Sequence, residues 1–327
     1  MKRKIPVTDS IAIDIKGLTK SFSNGWLGKK QVLNDLNFQI LDNEVFGYLG
    51  GNGAGKTTTF KLMLGLIRPD KGEISFWGCS AKDRISRAMI GYLPEQPYFY
   101  AYLTGAEALD FYASLFDMTG TERKKKVGYL LDLVGLTHAG DTQLRKFSRG
   151  MLQRIGIAQA LVNDPKLLIL DEPMSGLDPM GRKAMRDIIL SCRDQGKTII
   201  FSSHIISDVE MICDRAGILA NGELKNIITM DDAISSKDST WEISCQGASL
   251  DLSGIKEQGA IKQVVRGNRH IISTGKKDIA DRVMTEINRQ GLGLVSFSTA
   301  RKSIEEIYIQ SAGQEILPAG SQQDKYS

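Results

Sequence analysis

The sequence predicts an α/β fold, a mainly parallel β-sheet with covering helices, followed by a small C-terminal α+β domain. Strand-like and helix-like segments alternate from Ile11 to about Met230, which is typical of a parallel sheet with crossover helices. Residues 166–170 and 198–202 are nearly continuous apolar runs, as expected for central strands covered on both faces. A glycine-rich loop at residues 50–57 lies between a predicted strand and a predicted helix.

The individual strands follow from local patterns. Residues 11–15 and 36–40 alternate between apolar and polar side chains, as half-buried strands do. Residues 45–49 form a short apolar run that leads into the glycine-rich loop, and residues 73–76 follow a turn that contains a proline.

Apolar residues at helical spacing predict helices at residues 58–66 and 179–195, the second ending at Gly196. Residues 101–140 have helical periodicity and no strand pattern, which predicts a helical subdomain at about 97–160 inserted into the α/β domain. One stripe of this subdomain is expected to be buried. It consists of Leu109, Phe111, Tyr112, Leu115 and Phe116.

The composition changes near Met230, where the polar stretch 231–238 has the character of a linker. We therefore expect a main domain at residues 1–230, an accessory α+β domain at 231–312 and a disordered tail at 313–327. The elements expected in the accessory domain are strands at 240–245, 261–265, 270–273 and 292–298 and a helix at 277–290.

The bulk properties exclude several classes of protein. The 327 residues contain no apolar run near the roughly 18–20 residues that span a bilayer, so membrane association is expected to come from a partner. The basic residues 1–4 precede polar residues and no apolar segment, unlike a secretion signal. A net charge of +4 does not call for nucleic acid, and the four scattered cysteines fit buried side chains in a reducing cytoplasm.

The glycine-rich loop fits the pattern G-x-x-x-x-G-K-[ST], which binds nucleotide phosphates. Its glycines let successive N–H groups point at one anion, and the following helix adds the positive end of its dipole. Lys56 is expected to reach the β- and γ-phosphates, and the Thr57 hydroxyl to coordinate Mg²⁺. The predicted nucleotide contacts are Gly50, Gly51, Asn52, Gly53, Ala54, Gly55, Lys56, Thr57 and Thr58.

Two adjacent carboxylates, Asp171 and Glu172, follow the apolar run at 166–170. This places them at the edge of the sheet where α/β proteins bind ligands, although such a pair also occurs at a solvated strand end or a helix N-cap. We expect Asp171 to hold Mg²⁺ through water and Glu172 to orient and polarise an attacking water. Together with the loop, the pair predicts nucleotide hydrolysis.

Further segments around these carboxylates resemble the ATP-binding subunit of ABC transporters, and they occur in that family's order. They are Phe147-Ser148-Arg149-Gly150-Met151, Asp171-Glu172-Pro173, Ser175-Gly176-Leu177-Asp178-Pro179 and Ser203-His204. The resemblance covers about residues 11–225. It implies the ABC type of P-loop NTPase fold, with ATP and Mg²⁺ as the ligands.

The resemblance also implies roles for residues outside the phosphate loop. Phe22 corresponds to the aromatic residue that stacks on adenine, with Trp26 as a rival. Gln96 corresponds to the glutamine that contacts Mg²⁺ and the attacking water and links the site to the membrane partner. His204 would contact the γ-phosphate.

Three further residues would act across a dimer. Ser148 and Gly150 correspond to the signature loop, which closes over ATP bound to a second subunit, and Asp178 to a loop that crosses the interface. The common signature is Leu-Ser-Gly-Gly-Gln, so Arg149 and Met151 are departures. Gly51 stands where proline is usual, and it removes no phosphate donor.

The resemblance implies an ATPase that energises a membrane exporter, peripheral on the cytoplasmic face of the membrane. Its partners would be a permease and a second ATPase subunit, identical or paralogous, and no nucleic acid is expected. Residues 98–102 are a candidate socket for a permease helix, and residues 302–308 resemble the closing helix of exporter ATPases. The alternatives are an ABC-type ATPase that acts on ribosomes or DNA, and a P-loop kinase or GTPase in which Ser148 is dispensable.

Overall fold

The computed structural model describes residues 10–23, 28–230, 240–255 and 261–300. They divide into two compact units, one up to Ile228 and one from Thr229. Trp26, the linker-like stretch 231–238, residues 302–308 and the tail from 313 lie outside the described residues.

The first unit contains ten strands and seven α-helices among its described residues. The strands are β1 (Ile11–Ser23), β2 (Lys29–Leu41), β3 (Val45–Gly50), β4 (Lys71–Phe76), β5 (Cys79–Ser80), β6 (Ile90–Leu93), β7 (Leu167–Leu170), β8 (Thr198–Ser203), β9 (Arg215–Ala220) and β10 (Glu223–Thr229). The helices are α1 (Lys56–Met63), α2 (Arg84–Ala88), α3 (Gly105–Ala113), α4 (Gly120–Leu133), α5 (Arg149–Ala160), α6 (Pro179–Asp194) and α7 (Ile206–Ile212).

A six-stranded sheet of order β10-β9-β3-β8-β7-β6 forms the centre of this unit. Strands β9, β3, β8, β7 and β6 are parallel to their neighbours, which confirms the α/β prediction. Every residue of β3, β7 and β8 is buried, as their continuous apolar sequences predict. Because these three strands are parallel neighbours, the residues that follow them meet at one edge of the sheet.

A second, antiparallel sheet of order β2-β1-β4-β5 lies in the same unit. Residues 11–15 and 36–40, predicted as short strands, are parts of two long strands of 13 residues each. The core that they share with the six-stranded sheet is aromatic. Phe38 stacks on Phe46 and Tyr48, and Tyr48 in turn contacts Phe60 of α1.

The helical subdomain is present, but its predicted buried stripe is wrong. Leu109 is buried, whereas Phe111, Leu115 and Phe116 are exposed and Tyr112 is only half-buried. Helix α3 ends at Ala113, so helical spacing does not extend to Leu115 or Phe116. The buried face of α3 instead carries mainly small residues, which permit close packing against α4 and α5; it consists of Gly105, Ala108, Leu109 and Ala113.

The described residues of the second unit form a four-stranded antiparallel sheet and one helix, which are the kinds of element that the sequence predicts for the accessory region. Its elements are β11 (Thr240–Gln246), β12 (Ile261–Arg266), β13 (Arg269–Thr274), α8 (Lys277–Arg289) and β14 (Gly293–Ala300), with the strand order β12-β13-β11-β14. Its core includes Ile243, Ile272, Ile279 and Val283, which are all fully buried.

The structure also bears on the expectations for membrane-spanning helices and for the cysteines. Within the described ranges, no helix has both the length and the apolar content to cross a membrane. Cys192, Cys213 and Cys245 are buried free thiols as expected, whereas Cys79 is exposed because it lies on the short edge strand β5.

Candidate active site

The phosphate loop joins the end of β3 to the start of α1. Gly53 and Gly55 have positive φ values of 80° and 114°, a region that glycine enters without steric cost. A Cβ atom on Gly55 would lie 2.5 Å from Leu33 Cδ2, so a side chain there would displace the core. Helix α1 has no side-chain cap and no acidic residue in its first turn. Its first N–H groups therefore remain available for an anion, as the loop motif predicts.

Lys56, Glu172 and His204 form one chain of contacts at the edge of the sheet. Lys56 Nζ lies 3.0 Å from Glu172 Oε1, and His204 Nδ1 lies 2.8 Å from Glu172 Oε2. Lys56 Nζ also donates hydrogen bonds to Gly50 O at 2.6 Å and to Gly51 O at 3.2 Å. Lys56 and Glu172 are 6% and 8% exposed, so their charges interact with little solvent screening.

Asp171 and Glu172 are held by a residue on the neighbouring strand. Ser202 Oγ donates to Asp171 Oδ1 at 2.7 Å and accepts a hydrogen bond from Glu172 N at 2.8 Å. Glu172 has a φ of 47°, a left-handed conformation that is uncommon for a residue other than glycine and needs support from its surroundings. Burial, with a smaller effect from the charge of Asp171, raises the pKa of Tyr92 to about 12, so this phenol stays neutral beside the carboxylates.

A polar cleft of about 1040 Å³ opens beside these groups, large enough for a nucleotide. The phosphate loop, Glu172 and His204 line it. It is also lined by residues of β2 and of the turn between β9 and β10, namely Lys30, Gln31, Val32, Asn221 and Gly222. The turn is attached to the phosphate loop, since Gly222 N donates to Ala54 O at 3.2 Å.

Comparisons with known proteins identify the family of this chain. The family model for ABC transporters matches residues 33–175. An uncharacterised ABC transporter ATP-binding protein of Nostoc sp. is 43% identical over 296 residues, which cover 89% of this chain and 87% of that protein. The chain belongs to the ABC transporter family. As an ATP-binding subunit of that family it binds ATP and hydrolyses it, and the hydrolysis energises transport.

Other relatives of this ABC subunit carry more specific names. The bacitracin transport ATP-binding protein BcrA of Bacillus licheniformis is 42% identical, with 68% of this chain and 71% of that protein covered. The linearmycin resistance ATP-binding protein LnrL of Bacillus subtilis is 31% identical, with 88% and 96% covered. A solved ATP-binding subunit of an ABC transporter is 32% identical, with a TM-score of 0.60 and coverage of 68% and 92%.

Several of the expected ligand residues do not line the cleft, among them Gly50, Ala54, the buried Asp171, Phe22 and Gln96. Phe22 is exposed, with Lys20 Nζ 5.4 Å from its ring centroid, and its cross-strand partner Lys30 lines the cleft instead. Gln96 is also exposed, and the adjacent Glu95 lines the cleft. Roles for Phe22 and Gln96 remain predictions.

Ser148, Gly150 and Asp178 lie at helix starts, outside the cleft wall of their own chain. Ser148 Oγ caps α5 by accepting from Met151 N at 3.2 Å. Asp178 caps α6 by accepting from Gly181 N at 2.9 Å. These residues therefore have local structural roles besides the roles expected across a dimer.

Helices α6 and α7, which follow Asp178 and His204, are joined by a buried charge cluster. Asp208 of α7 is 1% exposed, and its carboxylate lies 3.1 Å from Arg182 Nη2 and 3.3 Å from Arg186 Nη1. The two arginines are four residues apart on α6 and so share one face of that helix.

Some functional residues escaped the sequence analysis. Ser202 positions both carboxylates. The sequence indicates this role only through the place of Ser202 before Ser203 and His204, at the end of an apolar strand. Lys30 lines the cleft because β2 passes beside it, a long-range relationship that no local pattern contains. Glu95 lines the cleft, whereas the sequence motif indicated its neighbour Gln96.

The donor set fits Mg²⁺. Asp171 and Thr57 offer a carboxylate and a hydroxyl, the oxygen ligands that Mg²⁺ prefers. No group of three or more His, Cys, Asp or Glu side chains is arranged to hold a metal among the residues that the structure describes. Few protein ligands suffice for Mg²⁺ at nucleotide sites, where phosphates and water complete its coordination.

Proposed function

We propose that this subunit energises an exporter through an ATP-driven cycle of dimer closure and opening. The chain of contacts from Lys56 through Glu172 to His204 beside the cleft supports this most directly. Lys56 can neutralise transferred phosphate, Glu172 can polarise an attacking water, and His204 can hold Glu172 in place. When bound, Mg²⁺ supplies charge neutralisation between the phosphates, with Thr57, Asp171 and Gln96 as its proposed ligands.

We propose that ATP binding releases Glu172 from its ion pair with Lys56. Lys56 already uses two donors on the carbonyls of Gly50 and Gly51, and its third lies beside Glu172. A γ-phosphate near Lys56 competes with Glu172 for the ammonium charge. Nucleotide binding therefore loosens the ion pair and frees the carboxylate to act on water.

Members of this family act as dimers together with membrane permeases. We propose that Ser148 and Gly150 of one protomer complete the site of the other, with Asp178 at the interface. Both loops are exposed or half-exposed and so are accessible to a second copy or a paralogue. Phe22 would stack on adenine after a local movement of the β1–β2 hairpin.

The permease is proposed to bind an aromatic surface of the helical subdomain, formed by Tyr98, Tyr100, Tyr102 and Phe111. These side chains are 88%, 51%, 66% and 42% exposed. Tyr100 contacts both Tyr102 and Phe111, so these three rings are continuous, and Tyr98 lies two residues before Tyr100 in the chain. It follows directly after Gln96, which connects it to the cleft along the chain, and it fits an amphipathic helix.

Export, as opposed to import, is supported by the names of two relatives, a bacitracin transport protein and a linearmycin resistance protein. The subunit is accordingly placed on the cytoplasmic face of the membrane, held there by its permease. We assign residues 1–230 to the ATPase domain and residues 231–312 to the accessory domain.

The test is co-purification of the tagged full chain from membranes in mild detergent. We expect a protein with several membrane spans to copurify, and Tyr98→Ser with Tyr102→Ser to reduce its yield severalfold. Tyr129→Ser is the matched control, because Tyr129 is an exposed aromatic residue on α4. Recovery of ribosomes or DNA in place of a membrane protein would overturn the transport role.

A further inference from the structure

Arg149 lies directly over the loop that follows Glu172. A Cβ atom on Gly176 would be 2.5 Å from Arg149 Cζ, 2.6 Å from Nη1 and 2.9 Å from Nε, so the guanidinium lies against one side of this exposed glycine. The contact joins two segments that are 27 positions apart in sequence, from 149 to 176. Arg149 is also one of the residues that depart from the common signature.

The loop at residues 173–178 needs external support. It follows Glu172 and contains Gly176, and both of these residues have positive φ values, 47° and 66°. Its backbone hydrogen bonds run from Ser175 N to Glu172 O at 3.0 Å and from Leu177 N to Met174 O at 3.3 Å. Burial anchors the start of the loop at Pro173 and Met174, whereas the part around Gly176 is half-buried or exposed and depends more on contacts such as that of Arg149.

Helix α5 provides a rigid support for that loop. Its first residue is Arg149, its start is capped by Ser148, and buried Gln153 fixes it through a 2.8 Å hydrogen bond to Glu95 O. A second contact reinforces the first, since a Cβ on Gly150 would lie 3.7 Å from Leu177 Cδ2.

We propose that Arg149 is a positioning residue that holds loop 173–178 against α5 and so keeps Glu172 and Ser175 in place at the cleft. The planar guanidinium suits this role because it can lie flat on the glycine backbone, which a lysine ammonium cannot do. The effect on hydrolysis rests on the proposed function, whereas the effect on the loop does not.

The first test is hydrogen–deuterium exchange of the full chain without nucleotide. In Arg149→Gly we expect the amides of loop 173–178 to exchange about fivefold faster or more, because their local opening becomes easier. The matched control is Arg145→Gly, an exposed arginine whose Nε binds Gln143. Unchanged exchange in Arg149→Gly would overturn the proposal whatever the activity shows.

The second test is steady-state ATP hydrolysis. We expect Arg149→Gly to lower kcat about fivefold, equivalent to ~1 kcal/mol, while the Kd for ATP stays within about twofold. Arg149→Lys should behave like Arg149→Gly, and full rescue by lysine would show a role for charge alone and overturn the proposal. Absence of ATPase activity from the wild-type chain would instead contradict the proposed function.

Discussion

His204 Nδ1 lies 2.8 Å from Glu172 Oε2, and this contact ties the end of β8 to the end of β7. The other oxygen of Glu172 faces Lys56 at 3.0 Å. The carboxylate of Glu172 thus lies between the imidazole of His204 and the ammonium group of Lys56, and all three residues line the cleft. Substitutions at or near Glu172 should therefore affect nucleotide binding and hydrolysis to different degrees.

Glu172→Gln should abolish hydrolysis while preserving ATP binding. The amide cannot polarise water, so we expect kcat to fall by about 10²-fold or more. With Mg·ATP the variant should accumulate as a dimer, which size-exclusion chromatography with light scattering detects. Glu210→Gln, an exposed carboxylate of α7, is the control. A monomer at saturating Mg·ATP, with the membrane partner present, would contradict the dimer mechanism.

Lys30→Gln should weaken ATP binding with little change in kcat. Lys30 is an exposed residue that lines the same cleft as the phosphate loop. An exposed charge contact of ~0.5–1 kcal/mol predicts a two- to fivefold higher Kd, with the difference disappearing at high salt. Calorimetric titration measures this. Lys29→Gln serves as control because Lys29 does not line the cleft, and equal effects of both changes would refute a specific contact.

Ser202→Ala should disturb both carboxylates at once. It removes the donor to Asp171 and the acceptor for Glu172 N, and an unsatisfied buried group costs ~1–3 kcal/mol. We expect lower thermal stability and a higher Mg²⁺ concentration for half-maximal ATPase activity. Ser203→Ala, which loses only hydrogen bonds within the turn to Ile205, should leave the Mg²⁺ dependence unchanged.

Arg215→Met should destabilise the protein more at neutral than at acidic pH. Burial raises the pKa of Glu44, and the nearby Arg215 counteracts part of that rise. Without Arg215 the pKa rises further, so the folded state holds the proton more tightly than the unfolded chain. The free-energy penalty for the ionised Glu44 carboxylate then grows as the pH increases above 4.5, the ordinary pKa of a glutamate.

We expect this change to cost about 3 kcal/mol at pH 7, and distinctly less near pH 5, in urea unfolding. Lys225→Met breaks an exposed ion pair to Glu223 and should cost under about 1 kcal/mol at either pH. A pH-independent loss in Arg215→Met would contradict the assignment to Glu44.

Local patterns predicted the parallel strands and the phosphate loop, because each is specified by neighbouring residues. The carboxylate pair at Asp171 was placed correctly since parallel strands deliver their ends to one edge. Phe111 and Leu115 were assigned to the core on helical spacing, whereas α3 ends at Ala113 and its close packing selects small residues. Lys30 and Ser202 act through partners distant in sequence, which periodicity cannot reveal.

The ion pairs of Asp208 with Arg182 and Arg186 join α7 to α6. Helix α6 begins after Asp178, which is proposed to meet a second protomer, and α7 begins two residues after His204. Separating the two helices would leave a carboxylate that is 1% exposed without its counter-charges, so we expect them to move together. A shift of α6 at the proposed interface should therefore also shift the start of α7, beside the residue that contacts Glu172.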